Sequence, residues 1–229
     1  MATEDLRAHD WILLPGTLCT GQIFDPVLDA LGVPSARRRT IALRHGAVAD
    51  YVQLLTPLCE GAVVCGFSLG AIVAAHLGDR LGAERIVLFG LNPHADDPAK
   101  AEGRRALARD VRASGGTAAM RSRLSDLRGP DPEGTRAALL AMAGAAAPDI
   151  DAQTRLALTR PGAMEALSRT PSPVLVLTGS EDTAAPPALG REAAKAAPRG
   201  AFRLLPGLGH YALLEDPGLA ARAVRDMAG

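Results

Sequence analysis

Short apolar runs alternate along the chain with longer segments of helical periodicity. Six runs have the length of buried strands, and we predict strands at residues 11–14, 40–43, 62–67, 85–89, 174–177 and 202–205. The segments between them predict helices over residues 24–31, 50–58, 69–81, 186–197 and 216–227. This alternation is typical of an α/β fold, with a mostly parallel sheet of about six strands flanked by helices.

One long segment, residues 95–169, interrupts this alternation. It is rich in Ala, Arg and Asp and contains no strand-like run. Helices are predicted over residues 100–112, 117–127, 135–147 and 151–160, with glycines and prolines between them. We therefore predict a core made of residues 1–94 and 170–229. Residues 95–169, called the helical insertion below, are expected to cover the core as a lid.

Composition and charge exclude several classes of partner. The 25 Lys and Arg residues balance the 25 Asp and Glu residues, which gives no electrostatic case for nucleic acid or an anionic membrane. No apolar run approaches the roughly 20 residues that span a bilayer. The N-terminal segment is polar and unlike a secretory signal, so a cytoplasmic location is expected. Arg37, Arg38 and Arg39 form either a local basic patch or a solvated strand entrance.

The cysteines do not predict a disulfide framework or a metal site. Their number is three, their spacing is irregular, and no CxxC or His/Cys cluster is present. We therefore expect neither a metal nor a cofactor. Cys65 lies inside an apolar run and reads as an inert core thiol. Cys19 could be mistaken for a nucleophile, but no base is as well placed for it as for Ser68.

Functional groups of an open parallel sheet collect at the carboxyl ends of its strands. Ser68 follows the third predicted strand, Asp182 the fifth and His210 the sixth. A serine hydroxyl needs a neighbouring base to act as a nucleophile, and a carboxylate can orient that base. The alternatives are a plain turn serine and an ordinary loop histidine. Glu181 and, more distantly, Asp96 are other choices for the acid.

Three motifs in this order resemble the α/β-hydrolase family: GFSLG at residues 66–70, TGSED at 178–182 and GLGH at 207–210. The resemblance extends over residues 11–227. It implies an α/β-hydrolase fold in which the chain begins near the third strand of the family's sheet, which limits the sheet to about six strands. It also implies Ser68 as nucleophile, His210 as general base and then acid, and Asp182 as the residue that orients His210.

The loop PGTLCTG, residues 15–21, resembles the loop that supplies half of the family's oxyanion hole. Pro15 stands where the family usually has histidine, so one polar side-chain contact is missing while backbone donors remain. By this resemblance, the backbone N–H groups of Thr17 and Leu69 are the expected oxyanion donors.

Further residues near the strand ends are expected to contact substrate, namely Leu18, Asn92 and His94. For His94 a surface position is an equal alternative. Met120, Met142 and Met164 either form an adaptable apolar pocket or pack within the helical insertion. The pattern around Gln153, Arg160-Pro161 and Leu167 resembles small bacterial carboxylesterases and enol-lactonases.

We therefore predict a hydrolase that cleaves a carboxylic ester of a small or medium acyl substrate, as a monomer or a dimer. A thioesterase or a C–C bond hydrolase or lyase would use the same three residues. Arginines that face the pocket from the helical insertion would favour an anionic substrate. A non-catalytic ligand-binding or accessory protein is the third alternative, although it has no evident need for Ser68, Asp182 and His210 together.

Overall fold

A computed structural model describes residues 6–226 of the chain, so Met227, at the end of the last predicted helix, lies outside it. One sheet has the strand order β2-β1-β3-β4-β5-β6, and every neighbouring pair is parallel. This confirms the predicted α/β fold with a six-stranded sheet. The strands are β1 Trp11–Leu14, β2 Arg38–Thr40, β3 Val63–Phe67, β4 Arg85–Phe89, β5 Val174–Gly179 and β6 Gly200–Leu205.

Every predicted helix has a counterpart among the described residues, although its ends differ by a few residues. α3 ends at Leu77, four residues before its predicted end. Two short helices, α8 and α10, had no strong sequence signal. The helices are α1 Asp25–Leu31, α2 Val52–Cys59, α3 Leu69–Leu77, α4 Ala101–Ser114, α5 Gly116–Arg121, α6 Pro132–Ala146, α7 Ile150–Thr159, α8 Met164–Arg169, α9 Pro187–Ala196, α10 Ala212–Glu215 and α11 Pro217–Arg225.

The second strand lies earlier than predicted. Residues 38–40 pair with β1, and the Ile41 N–H still donates to the Leu13 carbonyl at 2.9 Å. The chain then leaves the sheet, and Leu43 turns into the core. An edge strand needs little apolar surface, so a polar run of arginines can form it. Arg38 contacts Asp25 and Asp29, and Arg37 contacts Asp10. Acidic neighbours thus offset two of the three arginines.

Apolar side chains of the strands alternate between the two faces of the sheet. On one face, Ile12 and Val64 belong to a cluster with residues of α2, α3, α8 and α9. On the other, Trp11 and Phe67 pack with residues of α1, α6, α10 and α11. The sheet is therefore buried on both sides, which leaves the strand ends as the places where polar groups can collect.

Helices α4 to α8 all lie between β4 and β5 in the chain, and the described part of the helical insertion contains no strand. Part of the insertion has a small apolar cluster of its own, to which Leu18 of the core contributes. None of the helices in residues 6–226 is long and apolar enough to cross a membrane.

Candidate active site

The strand order places the candidate site at a switch point of the sheet. From β1 the chain continues outward to β2, and β3 then returns to the other side of β1. The loops after β1 and β3 therefore leave in different directions and open a crevice between them. Thr17 follows β1 and Ser68 follows β3, so both lie at this crevice.

Ser68 occupies a strained turn between β3 and α3. Its φ of 50° and ψ of −113° lie in a region that non-glycine residues rarely adopt. The turn closes because Gly70 carries no side chain: a Cβ there would lie 1.9 Å from the Leu14 carbonyl oxygen. The Ser68 N–H donates to the Phe89 carbonyl at 2.9 Å, which ties the turn to the end of β4. The hydroxyl is thereby held out at the start of a helix.

A hydrogen-bonded chain joins the three predicted side chains. His210 Nε2 lies 3.1 Å from Ser68 Oγ, and His210 Nδ1 lies 2.8 Å from Asp182 Oδ2. The Asp182 side chain is 1% exposed and that of His210 is 18% exposed. A base within hydrogen-bond reach of a hydroxyl, itself oriented by a buried carboxylate, is the arrangement that activates a serine nucleophile.

Asp182 is held by its own loop. Its Oδ1 accepts hydrogen bonds from the N–H groups of Ala184 and Ala185, at 2.9 and 2.8 Å, leaving Oδ2 for His210. The two other acids considered from sequence are engaged elsewhere. The exposed Glu181 accepts a hydrogen bond from Ser180, and Asp96 pairs with two arginines of the helical insertion.

The end of β4 leaves room for the imidazole. Gly90 has a φ of 59°, and a Cβ there would lie 3.0 Å from His210 Cε1 and 3.1 Å from His210 Nδ1. Phe67 packs against the imidazole from another side, with 5.1 Å between the ring centroids. The neighbouring Tyr211 is buried, and burial raises the pKa of its hydroxyl, so it remains neutral.

Glu215 of α10 supports the loop that carries His210. This buried carboxylate accepts the Gly209 N–H at 2.5 Å and the N–H of Arg128, in the helical insertion, at 3.3 Å. Burial raises the pKa of Glu215 above its usual range, although the two N–H donors act in the opposite direction. The residue before His210 is thus held by a group that also contacts the insertion.

Two backbone N–H groups are suitably placed to bind an oxyanion. Leu69 is the first residue of α3, so its N–H has no hydrogen-bond partner within the helix. The helix dipole also favours negative charge at this end. The Thr17 N–H has no backbone partner among residues 6–226. The next N–H, that of Leu18, donates to Gln153 Oε1 at 2.9 Å. Gln153 therefore holds this loop from the helical insertion while the Thr17 donor stays available.

Two adjoining cavities of about 190 and 270 Å³ open beside Ser68. The larger one has a mostly apolar wall that includes Phe67, Leu107 and Met120. Lys100, Arg160 and Asn92 line the smaller one. Both cavities share six lining residues: Thr17, Ser68, Arg104, Ala157, Ala184 and His210.

A cluster of charges forms one wall of the smaller cavity. Arg104 Nε and Nη2 both donate to Asp96, at 2.5 to 3.0 Å, and Arg160 Nη1 lies 2.9 Å from the same carboxylate. Burial alone would raise the pKa of Asp96, but the two guanidinium groups lower it below its usual range. Burial lowers the pKa of Arg160, as does the charge of Arg104. One ionised carboxylate thus pairs with two guanidinium groups and offsets only one of their two positive charges.

The residues predicted to contact substrate lie in three different settings. Asn92 lines the smaller cavity and accepts the His94 N–H with its side chain. The His94 ring pairs with Glu192 at 2.9 Å on the surface, which is the second of the two positions considered for it. Leu18 has a φ of 55° and packs into the cluster of the helical insertion. The described linings of the two cavities beside Ser68 include neither His94 nor Leu18.

The three methionines also differ in their surroundings. Met120 lines the larger cavity, Met142 is buried in the core, and Met164 packs partly buried against it. No His, Cys, Asp or Glu cluster within residues 6–226 has the arrangement of a metal site.

Sequence reasoning did not assign Arg104, Lys100 and Glu215 to the site, and it noted Gln153 only as part of a pattern. These four residues lie on helices or turns that come near Ser68 only through the tertiary fold. The one signal available was the arginine content of the helical insertion.

Comparison with solved structures gives the same fold. An esterase from Thermogutta terrifontis is 21% identical, with a TM-score of 0.79 over 96% of this chain and 89% of that one. The enol-lactonase from Burkholderia xenovorans LB400 is 22% identical, with a TM-score of 0.75 over 96% of this chain and 91% of that one. The putative non-heme bromoperoxidase BpoC from Mycobacterium tuberculosis H37Rv is 25% identical, with a TM-score of 0.70 and the same coverage.

No curated protein matches the sequence. A sequence model of the alpha/beta hydrolase family, however, matches residues 5–223, nearly the whole chain. Together with the parallel sheet and the turn at Ser68, this match decides the classification. The chain belongs to the alpha/beta hydrolase family.

Proposed function

We propose that the protein is a serine hydrolase that cleaves carboxylic esters of small or medium acyl groups. The observation that carries this proposal is the chain of hydrogen bonds from Ser68 Oγ through His210 to the buried Asp182. In this proposal the three residues form a catalytic triad, and the N–H groups of Thr17 and Leu69 form the oxyanion hole.

The reaction has two halves, acylation of Ser68 and hydrolysis of the acyl-enzyme. Ser68 Oγ attacks the ester carbonyl while its proton moves to His210 Nε2. The two N–H donors stabilise the negative charge that develops on the carbonyl oxygen. His210 then returns the proton to the departing alcohol, which leaves an acyl group on Ser68. In the second half, His210 takes a proton from water, the hydroxide attacks the acyl-enzyme, and the carboxylic acid leaves as Ser68 regains its proton.

The size of the cavities supports a small or medium acyl group. Volumes of about 190 and 270 Å³ lie below or at the lower end of the usual range for small-molecule pockets. The apolar wall with Leu107 and Met120 suits an alkyl or aryl portion of the substrate.

The test is steady-state hydrolysis of p-nitrophenyl esters of rising chain length by the wild-type protein and by Ser68→Ala. We expect an optimum at short or medium chains and a loss of at least about a thousandfold in kcat for the variant. Glu133→Gln, at an exposed position of α6 that lines neither of the two cavities, serves as the control for protein preparation.

Acyl-enzyme formation gives a second readout. A fluorophosphonate probe should label the wild-type protein and leave Ser68→Ala unlabelled. A folded wild-type protein that hydrolyses no ester and resists the probe contradicts the proposal. Labelling without ester turnover would instead direct the search to thioesters and carbon–carbon bonds.

A further inference from the structure

The smaller cavity beside Ser68 has an excess of positive charge. Lys100, Arg104 and Arg160 line it, and no Asp or Glu does so among the described residues. Within residues 6–226, Asp96, behind the wall, is the carboxylate that contacts this group, and it pairs with both Arg104 and Arg160. Three cations against Asp96 give this wall a formal excess of two positive charges, which the Asp182 carboxylate behind His210 offsets in part.

The cationic side chains of this wall differ in how many of their hydrogen-bond donors already have a protein partner. Arg160 is buried and donates to the carbonyl groups of His94 and Ala157 as well as to Asp96, so it serves the architecture. Arg104 donates to Asp96 through Nε and Nη2. Its Nη1 has no partner among residues 6–226, and the same holds for the Lys100 ammonium. Arg104 Nη1 and the Lys100 ammonium are therefore two positively charged hydrogen-bond donors that remain available on the cavity wall.

Asp96 makes Arg104 better suited to bind a ligand. The bidentate contact fixes the plane of the guanidinium, and the buried Arg160 fixes Asp96 in turn. A preorganised guanidinium loses little side-chain entropy on binding an anion. Arg104 is partly buried, with 30% of its side chain exposed, whereas Lys100 is an exposed residue at the edge of the cavity. The Arg104 charge is therefore less screened by solvent than that of Lys100.

We propose that Arg104 and Lys100 form an anion subsite that recognises a carboxylate on the substrate, separate from the ester bond that Ser68 cleaves. The inference rests on the proposed serine hydrolase function and names its substrate class. The substrate is a small ester with a second, ionised carboxyl group, whose apolar portion faces the larger cavity. A neutral ester offers no negative charge to Arg104 Nη1 or to the Lys100 ammonium.

The first test compares two matched pairs of esters. Mono-p-nitrophenyl glutarate is compared with p-nitrophenyl methyl glutarate, and 4-carboxyphenyl acetate with its neutral methyl ester. The anion lies on the acyl side in one pair and on the alcohol side in the other. We expect at least a tenfold higher kcat/KM for the anionic member of one pair, and a smaller preference in 0.5 M NaCl. Ser68→Ala supplies the background rate.

Variants locate the effect. Arg104→Gln and, separately, Lys100→Gln should lower the anionic-to-neutral ratio of kcat/KM by about tenfold to a hundredfold, in the range of a charged hydrogen bond. Arg105→Gln is the matched control, because this neighbour on α4 lines an outer groove and should leave the ratio unchanged. Thermal melting of each variant shows whether the fold is intact, and Lys100, outside α4, is the safer of the two positions.

Binding without turnover gives an independent readout. Glutarate should raise the Tm of Ser68→Ala and should do so far less in a protein that also carries Lys100→Gln. The anion subsite is overturned if both members of each pair are hydrolysed with equal kcat/KM and glutarate does not shift the Tm. The proposed hydrolase function stands in that case, because esters are still hydrolysed. The opposite outcome is a Tm shift by glutarate that depends on Lys100, with no ester turnover at all. The subsite then stands and the ester hydrolase proposal fails.

Discussion

Single residues decide whether Ser68, the proposed nucleophile, is held out of the turn. Ser68 has a backbone conformation that its own side chain disfavours, and the surrounding contacts must compensate for that strain. Gly70 permits the close approach of α3 to the end of β1, where the Leu14 carbonyl would otherwise meet a side chain. The turn therefore needs Gly70, which makes room for it, as much as it needs Ser68.

Gly70→Ala should therefore damage both stability and activity. The added methyl group would lie 1.9 Å from the Leu14 oxygen, so the backbone of the Pro15–Thr17 loop has to move. We expect the free energy of unfolding to fall by about 1–3 kcal/mol and kcat on a short ester to fall at least tenfold. Urea denaturation and steady-state kinetics measure the two effects.

Gly103→Ala is the matched control for this change. Gly103 lies in α4, and no atom lies within 4 Å of a Cβ placed there. Alanine should leave ester turnover intact and raise stability by up to about 1 kcal/mol. Equal losses in the two variants would contradict the steric explanation.

The cysteines should be chemically silent in the folded protein. Cys19, Cys59 and Cys65 are buried and unpaired, and burial raises the pKa of the Cys19 and Cys59 thiols to about 12. The thiolate is the reactive form, so iodoacetamide at pH 8 should modify none of them within an hour. Mass spectrometry should find three modifications after denaturation; fast labelling of Cys19 in the native state would refute this prediction.

At the scale of elements, the site is assembled from loops that follow parallel strands. Sequence predicted this arrangement because the strands are apolar runs with clear limits, and because Ser68, Asp182 and His210 each come just after one of them. The shift of β2 to residues 38–40 could not be predicted, since an edge strand of arginines has no apolar signature. The setting of His94 depends on Glu192, nearly one hundred residues away in the chain.

The roles of Arg104 and Glu215 were hidden for the same reason. Each acts through groups that are distant along the chain, such as Asp96 and the Arg128 N–H, and a local pattern of residues holds no information about such contacts. Sequence motifs marked Ser68, Asp182 and His210, the residues of the proposed triad. The groups that hold and surround them emerge only from the packing of elements.

Glu215→Gln should misalign the loop that carries His210. A glutamine keeps the volume but presents an amide N–H toward one of two N–H donors, so one buried hydrogen bond is lost. We expect a loss of about 1–3 kcal/mol in stability and a lower kcat with little change in KM. Glu133→Gln, at an exposed position of α6, is the control, and an unchanged kcat in Glu215→Gln would show that the loop does not need this support.

At the scale of the whole molecule, the helical insertion is bonded to the core on several sides. Gln153 holds the loop after β1, Arg160 bonds the loop after β4, and the Arg128 N–H reaches Glu215 beside the last strand. A further contact joins His76 of α3 to the Pro161 carbonyl. These contacts fix the helical insertion, several of whose residues line the cavities beside Ser68, to the core.

His76 should make stability depend on pH. Burial lowers the pKa of its imidazole below the ordinary value of 6.5, the Arg160 charge acts in the same direction, and the bond to Pro161 opposes them. The unfolded chain then takes up a proton at higher pH than the folded one does. The free energy of unfolding should consequently fall as the pH drops through about 6.5.

Urea denaturation between pH 8 and pH 5 measures this effect in the wild-type protein and in His76→Gln. The variant keeps an N–H donor for Pro161 but does not titrate, so its stability should vary less over the same range. Identical slopes in the two proteins would rule out His76 as the source.

The strand order has a consequence for synthesis on the ribosome. β4 pairs with β5, but the helical insertion separates them in the chain, so β4 has an open edge until residues 174–179 emerge. At roughly 5–20 residues per second, translation of the insertion takes on the order of several seconds. Throughout that interval a strand of five apolar or arginine residues, RIVLF, offers unpaired backbone groups to other nascent chains. Chaperone demand during translation should peak in this window rather than after release of the finished chain.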